Sequence, residues 1–188
     1  NETQPIDLCA LAINLGCTFV ARSFSGSKKQ LNALLKAAMS HKGFALIDVI
    51  SPCVTFNNND ESMKSYGYVK ENEITLHMTD YIPHFNPITE VEVPEGHFRD
   101  ITLHDGSTIR LETISDEHDP SDAVAALTAL HNAETSAKHV TGLLYFDNTK
   151  ASLSEDLGLV ETPLIDVPDA ELRPSREMLD KINSAFLS

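Results

Sequence analysis

The sequence has 188 residues, 41% hydrophobic and 22% charged, which suffices for a domain with a real core and excludes disorder and low-complexity fibre. Its 14 basic and 28 acidic residues give a net charge of −14, which disfavours binding to nucleic acid or to an anionic membrane. No apolar run approaches the roughly 20 residues of a membrane helix, and no secretory signal is recognisable. We therefore expect a soluble, cytoplasmic protein.

The charge is distributed unevenly along the chain. Residues 1–56 contain five basic and three acidic residues, whereas residues 57–188 contain nine basic and 25 acidic ones. An anionic ligand or an acidic partner would therefore approach the first segment more favourably than the second.

Residues 5–50 predict helix, strand, helix and strand in that order. The first helix has apolar residues at helical spacing and Gly16 as its C-terminal cap, and Thr18–Arg22 reads as a strand. Ser27 and Gln30 have capping-box spacing before a second helix. The nearly continuous apolar run Phe44–Ile50 is typical of a strand covered on both faces. Two strands joined by one helix predict a right-handed parallel βαβ unit. The apolar residues of the first helix are Leu8, Leu11, Ala12 and Leu15.

A polar tract at residues 57–61 is followed by a predicted β-hairpin. A two-residue loop would place its apolar pairs on opposite faces. A three-residue loop, His104–Gly106 with a left-handed Gly106, pairs Ile101 with Ile109 and Leu103 with Ser107. We favour the longer loop, because it brings Ile101, Leu103, Ile109 and Leu111 onto one face.

The last third of the chain predicts helix, strand and helix. Asp119, Pro120 and Asp122 form a helix start, with a cap, a proline in the first position and an acid in the first turn. Val140–Phe146 reads as a strand, and residues 147–174 as a proline-bearing arm. A last helix begins at Ser175, and its inward residues are predicted to be Met178, Leu179, Ile182 and Phe186.

We therefore predict an α/β fold: a parallel sheet portion followed by an α+β region that contains the hairpin. The predicted segments are the parallel α/β portion (1–57), an acidic linker with the hairpin (58–118) and a C-terminal helix-strand-helix region (119–188).

Cys53 is the candidate for chemistry. It follows Ser51-Pro52 at the end of a predicted parallel strand, where ligands of open sheets collect. Free cysteine is also among the most buried residue types, and a small buried side chain is the interpretation we keep for Cys9 and Cys17. Three cysteines without Cys-x-x-Cys spacing argue against a disulfide framework and a self-contained zinc site.

Three other groups have ordinary explanations. The loop Ser23–Ser27 with Lys28 and Lys29 could hold an anion, but a solvated helix end is favoured because no phosphate-loop pattern is present. No two of the eight histidines have metal-ligand spacing, so we expect surface or singly hydrogen-bonded side chains. A helix N-terminus and a solvated face explain the acidic residues Asp116, Glu117, Asp119 and Asp122.

Two dense motifs carry a family resemblance, and weaker likenesses follow at residues 104–111, 118–122, 141–145 and 173–176. The chain closely resembles the β subunit of 2-oxoacid:ferredoxin oxidoreductases, most of all the 2-oxoglutarate-type enzymes. The dense motifs are Gly-Cys-Thr-Phe-Val-Ala-Arg-Ser-Phe-Ser-Gly at residues 16–26 and His-Lys-Gly-Phe-Ala-Leu-Ile-Asp-Val-Ile-Ser-Pro-Cys-Val-Thr-Phe-Asn at residues 41–57.

The resemblance implies a Rossmann-like thiamine-enzyme fold and an enzyme that decarboxylates a 2-oxoacid on thiamine diphosphate with Mg²⁺. The electrons pass singly through a four-iron four-sulfur cluster to ferredoxin, and the acyl group passes to coenzyme A. An α subunit is the implied partner. By the same resemblance, Cys53 corresponds to the fourth cysteine ligand of the cluster, and no catalytic residue is assigned.

The chain departs from the family pattern in two respects. The Gly-Asp-Gly thiamine and magnesium motif is absent, and so are the three early cluster cysteines, all of which would precede Asn1. The chain thus looks like the C-terminal half of such a subunit, and we expect it to hold neither cofactor alone. Arg22, Lys28 and Lys29 could meet ferredoxin or a cofactor phosphate, but their sequence context resembles that of ordinary surface cations.

Two alternatives stay open. One is a stand-alone phosphate- or nucleotide-binding module that uses the Ser23–Lys29 loop. The other is a non-catalytic interaction subunit, in which Cys53 would be inert and the acidic C-terminal part would pack on a partner chain.

Overall fold

A computed structural model describes residues 5–56, 58–85, 98–113 and 118–186. Of the residues discussed above, Asn1, Asn57, Asp116, Glu117 and the histidine at position 97 lie outside this set. The chain forms two compact units, Asn1–Ser152 and Leu153–Ser188. The sequence analysis divided the chain near residues 57 and 118. In the structure, residues 142–146 of the third predicted segment pair with residues 19–22 of the first. Within the described part of the chain, no helix is both long and apolar enough to span a bilayer.

The first unit contains four helices and seven strands among its described residues. In chain order they are α1 (Leu8–Asn14), β1 (Phe19–Phe24), α2 (Lys28–Ser40), β2 (Ala45–Ile50), α3 (Tyr66–Asn72), β3 (Glu73–Thr75), β4 (His77–Ile82), β5 (Phe98–Thr102), β6 (Thr108–Thr113), α4 (Ala123–Thr135) and β7 (His139–Phe146).

The larger sheet has the strand order β2-β1-β7-β3. β1 and β2 run parallel with Phe19 opposite Ala45, which confirms the predicted parallel pair. β7 is antiparallel to β1, and β3 is parallel to β7. Every residue of β1 is buried, whereas β2 is half-buried with an exposed Val49. As predicted, β2 packs on both faces, with Leu46 against the apolar cluster of α1 and with Ala45 and Ile47 against that of α2, but it is only half-buried because it is the last described strand on its side of the sheet.

The two faces of β1 support different clusters of apolar side chains. Val20 points to one side, where it joins Cys9 of α1, Leu130 of α4 and Leu144 of β7. The neighbouring residues of the strand, among them Phe19, point to the other side, towards α2 and the second sheet. Side chains of successive strand residues alternate between faces, so a strand buried on both faces carries apolar residues throughout. This double coverage makes β1 the centre of the core.

Helix α1 forms where the sequence predicts it. The Asp7 side chain accepts a hydrogen bond from the Ala10 N–H (2.9 Å), and Gly16 has a φ of +86°, a left-handed conformation that favours glycine. Its buried face contains Cys9, Ala12 and Ile13. The larger residues Leu8, Leu11 and Leu15 are exposed and line an apolar groove of about 420 Å³ together with Phe44.

Two predicted helix caps differ in detail. Ser27 precedes α2 but makes no side-chain cap bond, and Gln30 instead accepts a hydrogen bond from the buried Ser23 hydroxyl (2.8 Å). The predicted capping box is therefore wrong, because the Gln30 side chain binds the buried Ser23 hydroxyl. α4 begins after Asp122, whose carboxylate accepts hydrogen bonds from two backbone N–H groups. Asp119 instead binds the N–H and hydroxyl of Ser121 in the preceding turn, so the predicted start lies three residues early.

The second sheet has the order β4-β6-β5 and contains the predicted hairpin. Ile101 lies opposite Ile109, the Leu103 N–H donates to the Ser107 carbonyl (2.8 Å), and Gly106 has a φ of +81°. The predicted loop and register are confirmed. The sequence did not predict β4, because the buried side chains of this strand include the polar residues His77 and Thr79 rather than an alternating apolar set.

The second unit consists of short helices, and its side chains are exposed or, at Val167, half-buried within the described residues. The longest element, α7 (Arg176–Phe186), carries four apolar residues that are between 44% and 87% exposed. The prediction that these side chains face inward is wrong: a single amphipathic helix offers them no core of its own. They are Met178, Leu179, Ile182 and Phe186. The shorter elements are α5 (Leu153–Asp156), a 3₁₀ helix (Leu164–Asp166) and α6 (Asp169–Leu172).

Candidate functional site at the carboxyl edge

The parallel strands β1 and β2 end side by side at Phe24 and Ile50. We call the ends of these strands and the loops that follow, residues 24–27 and 50–56, the carboxyl edge. The Ser25 N–H donates to the Ile50 carbonyl (3.0 Å), so the two loops start from a fixed separation. Pro52 is buried and Cys53 is exposed. The structure thus places Cys53 beyond the end of a parallel strand, where open sheets present their ligand-binding groups.

A tight turn follows Cys53. The Phe56 N–H donates to the Cys53 carbonyl (3.1 Å), which closes the turn. The nearby backbone N–H groups of Thr55 and then Phe56 favour the thiolate and hold the pKa of the Cys53 thiol below its ordinary value of 9.0. The thiolate is both the nucleophilic form of cysteine and its metal-binding form. An exposed cysteine with this environment fits the role of one thiolate ligand.

The carboxyl edge offers a single thiolate. Among the described residues, no group of three or more histidine, cysteine or acidic side chains could hold a metal ion. Cys53 could therefore contribute one ligand to a cluster but could not hold a cluster with its present neighbours alone.

Cys9 and Cys17 are buried, which confirms the interpretation given to them. The Cys17 thiol lies 3.0 Å from the Phe44 carbonyl and 3.3 Å from the Phe19 carbonyl, and burial raises its pKa. Burial also raises the pKa of Cys9 to about 12, with Arg22 opposing this shift and Asp48 adding to it. Both thiols stay protonated at neutral pH, so neither is prepared to bind a metal.

An ion triad lies below the carboxyl edge and was not predicted. Arg22 in β1 is nearly buried, with its Nη2 2.9 Å from Asp7 Oδ2 and its Nε 2.8 Å from Asp48 Oδ2. The two carboxylates and the buried guanidinium connect the start of α1, β1 and β2. Arg22 is therefore not the surface cation that its sequence context suggested. The cue was available in the sequence, since Asp48 is the one charged residue in an apolar strand and parallel pairing sets it opposite Arg22.

The loop considered for anion binding is engaged within the chain. The Ser23 hydroxyl donates to Gln30, and Lys29 Nζ lies 3.4 Å from the exposed carboxylate of Asp80. These contacts engage Ser23 and Lys29 within the chain. They agree with the favoured interpretation of Lys28 and Lys29 as part of a solvated helix end.

Of the seven histidines in the described part of the chain, three are buried rather than on the surface. The rings of His77 and His118 stack with centroids 5.6 Å apart, and their Nε2 atoms lie 2.9 Å from the Leu143 and Leu144 carbonyls. His41 Nε2 lies 2.7 Å from the Thr18 hydroxyl. Burial, then the neighbouring His104, lower the pKa of His41 from 6.5 to about 4, against an opposing effect of Asp147. His77 and His118 therefore hydrogen-bond to backbone carbonyls of β7, and His41 to a hydroxyl just before β1.

The comparisons with known proteins agree with this architecture. Residues 1–49 match the model of the thiamine pyrophosphate enzyme C-terminal TPP binding domain. Over 95 residues the chain is 40% identical to the 2-oxoacid:ferredoxin oxidoreductase subunit beta of Sulfolobus sp, a match that covers 50% of this chain and 28% of that protein. It is 39% identical over 75 residues to the 2-oxoglutarate synthase subunit KorB of Methanocaldococcus jannaschii, covering 38% of this chain and 28% of the relative.

A solved structure has a similar fold. The 2-oxoglutarate:ferredoxin oxidoreductase from Magnetococcus marinus, with 2-oxoglutarate, coenzyme A and succinyl-CoA bound, superposes with a TM-score of 0.54 and 22% sequence identity. The match covers 93% of this chain and 47% of that chain. This similarity confirms the predicted α/β fold class. The matched stretches span less than a third of the curated relatives named above and about half of the structural neighbour.

Proposed function

We propose, starting from the confirmed similarity to β subunits of 2-oxoacid:ferredoxin oxidoreductases, that this chain is the C-terminal part of such a subunit. The complete subunit would act with an α subunit in the cytoplasm. It would decarboxylate a 2-oxoacid, most simply 2-oxoglutarate, form the acyl-CoA and pass electrons to ferredoxin. The relative from Methanocaldococcus jannaschii and the structural neighbour both carry 2-oxoglutarate in their names, which supports this choice of substrate.

The observation that carries the proposal is the placement of Cys53. The thiol is exposed at the carboxyl edge, its pKa is lowered by backbone N–H donors, and the other two cysteines are buried with raised pKa values. A four-iron four-sulfur cluster accepts and releases electrons one at a time and is held by cysteine thiolates. We infer that Cys53 supplies one of those thiolates.

The remaining cofactor ligands would come from another part of the subunit. Cys9 and Cys17 are excluded by their burial, so the other three thiolates must lie outside this chain. The Gly-Asp-Gly motif for thiamine diphosphate and Mg²⁺ is also absent from the sequence. We therefore expect the isolated chain to be inactive. Incubation with iron and sulfide should yield no stoichiometric brown chromophore by visible absorption, and formation of one would contradict this expectation.

The direct test is Cys53→Ser in the complete α/β enzyme. We expect loss of one cluster by iron analysis and visible absorption, together with loss of ferredoxin reduction, because serine oxygen is a poor substitute for a thiolate. Cys17→Ala is the matched control, since its sulfur is buried against the Phe44 carbonyl. A Cys53→Ser enzyme that retains both the cluster and ferredoxin reduction would show that the ligand assignment is wrong.

One observation favours a second role, as an interaction subunit. The described side chains of residues 153–186 include many exposed apolar groups and, apart from Val167, all are exposed. Such a surface is typical of a segment that packs on a partner chain. Co-purification of the α subunit with the full chain, and its loss on removal of residues 153–188, would support this role. Retention of the α subunit by the shortened chain would argue against it.

A further inference from the structure

We propose that Tyr66 is the positioning residue for Cys53: it closes the segment that carries the cysteine and fixes that segment to the carboxyl edge. The Cys53 segment comprises residues 51–56 and 58–65, between the end of β2 and the start of α3. The proposal rests on the proposed function, in which Cys53 is a cluster ligand, and adds a residue to that site.

The two residues that flank the Cys53 segment, Ile50 and Tyr66, are both bound to Ser25 of the neighbouring loop. At its start, the Ile50 carbonyl accepts a hydrogen bond from the Ser25 N–H (3.0 Å). At its end, the Tyr66 hydroxyl lies 3.3 Å from the Ser25 hydroxyl. The segment therefore leaves the sheet and returns to it at Ser25, so that Cys53 lies on a closed loop rather than on a free linker.

The aromatic ring of Tyr66 provides the stronger part of this closure. It packs edge-on against Phe24, the buried last residue of β1, with ring centroids 5.1 Å apart and an interplanar angle of 63°. Edge-to-face pairs of this kind contribute beyond the area that they bury. The Tyr66 hydroxyl bond is exposed, so the ring contact carries most of the attachment.

Hydrogen bonds also order the interior of the segment, and one of them comes from the backbone of Tyr66. The Tyr66 N–H donates to the Asn58 side chain (3.1 Å), and successive turns bond the Ser62 N–H to the Asn59 carbonyl and the Ser65 N–H to the Ser62 carbonyl. Ser65 then caps α3 by accepting a hydrogen bond from the Tyr68 N–H. Fixing Tyr66 thus fixes the return path of the chain as well as its end point.

A cluster ligand needs such a support. Four thiolates must meet at fixed positions, and residues that hold a ligand in place affect metal affinity although they do not touch the metal. Cys53 lies on an exposed loop, where the backbone would otherwise sample many conformations. Tyr66 reduces that freedom through a contact with the rigid end of β1, and this distinguishes it from the other tyrosine of α3.

The test compares Tyr66→Ala, Tyr66→Phe and the control Tyr68→Phe in the full chain. Tyr68 belongs to the same helix, but its hydroxyl donates to the Ala137 carbonyl (2.8 Å), away from the carboxyl edge. We expect hydrogen–deuterium exchange of the Cys53 segment to accelerate about two- to tenfold in Tyr66→Ala, the range set by an ordinary aromatic pair. Tyr66→Phe keeps the ring and should stay close to the parent chain. Tyr66→Leu, which keeps an apolar side chain but loses the ring pair with Phe24, is the milder variant should Tyr66→Ala unfold, and the same acceleration is expected of it.

The same variants in the complete enzyme test whether the position of the Cys53 segment affects retention of the cluster. For Tyr66→Ala we expect release of iron to a chelator to accelerate by a similar factor and Tyr66→Phe to restore the parent rate. Unchanged exchange in Tyr66→Ala, or faster exchange with unchanged iron release, would overturn the proposal. Retention of the cluster in Cys53→Ser would instead overturn the proposed function, and exchange in the Tyr66 variants would still report whether the segment is held.

Discussion

Arg22 in β1 and Asp48 in β2 lie directly opposite each other in the parallel pair, with Arg22 Nε 2.8 Å from Asp48 Oδ2. The guanidinium also reaches Asp7, the N-cap of α1, so one buried cation connects a helix start and two strands. Burial of an arginine is tolerated here because two carboxylates surround it. The triad orients the two strands from which the carboxyl edge extends.

Replacement of Arg22 by methionine should destabilise the fold strongly. Methionine keeps the apolar stem but leaves Asp7 and Asp48, both largely buried, without the guanidinium between them. We expect a loss of about 3 kcal/mol in the free energy of unfolding, as for other broken buried ion pairs. Urea denaturation followed by circular dichroism measures this change.

Lys29→Met is the matched control for that experiment. It removes a pair with Asp80 in which both side chains are largely exposed. Exposed ion pairs contribute between zero and about 1 kcal/mol, so this variant should unfold close to the parent chain. Similar losses of unfolding free energy in the two variants would show that the buried triad stabilises the fold no more than an exposed ion pair does.

His41 should make stability depend on pH. Its pKa is lowered to about 4 in the folded chain, while the unfolded chain titrates near 6.5, so the unfolded state binds the proton first as the pH falls. The contribution of the neutral imidazole is present above pH 6.5 and is lost as the pH falls below it, by about 2 kcal/mol at pH 5. Urea denaturation at pH 7.5 and pH 5 should show a smaller difference in His41→Asn than in the parent chain. The exposed His131 offers the control His131→Gln, which should leave the difference unchanged.

Gly106 should resist substitution by alanine. Its φ of +81° is unfavourable for residues with a Cβ, and a Cβ there would collide with the ring of His84. We expect Gly106→Ala to lower the free energy of unfolding by about 1–2 kcal/mol. Gly67 in α3 has no positive φ and open space around it, so Gly67→Ala should be neutral or stabilising by up to about 1 kcal/mol. Thermal denaturation of both variants provides the comparison, and equal effects would argue against a strained turn.

The three cysteines should differ in reactivity. Cys53 is exposed with a lowered pKa, whereas burial raises the pKa of Cys9 to about 12 and also raises that of Cys17. At pH 8 we expect iodoacetamide to modify Cys53 at least about 100-fold faster than the other two, because the thiolate is the reacting form. Peptide mass mapping over time measures the three rates. In denaturant the difference should disappear, and its persistence there would show that the folded environment is not its cause.

The sequence predicts local structure best where one physical rule determines how two strands pair. The loop register of the hairpin follows from placing Ile101 and Ile109 on one face, and the structure has that register. The parallel pairing of β1 and β2 follows from a single intervening helix. Each of these rules uses residues that are close together along the chain.

Predictions failed where distant residues compete for the same group or the same space. Gln30 binds Ser23 instead of capping its helix, and β4 buries His77 against the Leu143 carbonyl instead of an apolar side chain. Leu8 and Leu11 have helical spacing, yet they face a groove while Cys9 enters the core. Short-range periodicity identifies a helix but does not determine which face meets a partner.

The antiparallel contact between β1 and β7 has a consequence for biosynthesis. Phe19 pairs with Phe146, so the central strand of the sheet gains this neighbour only after a further 127 residues have been made. At about 5–20 residues per second, translation leaves the apolar strand β1 without its second partner for on the order of 10 s. During that interval the nascent chain exposes a hydrophobic edge, and a ribosome-associated chaperone that shields it would limit aggregation of this protein at the moment of synthesis.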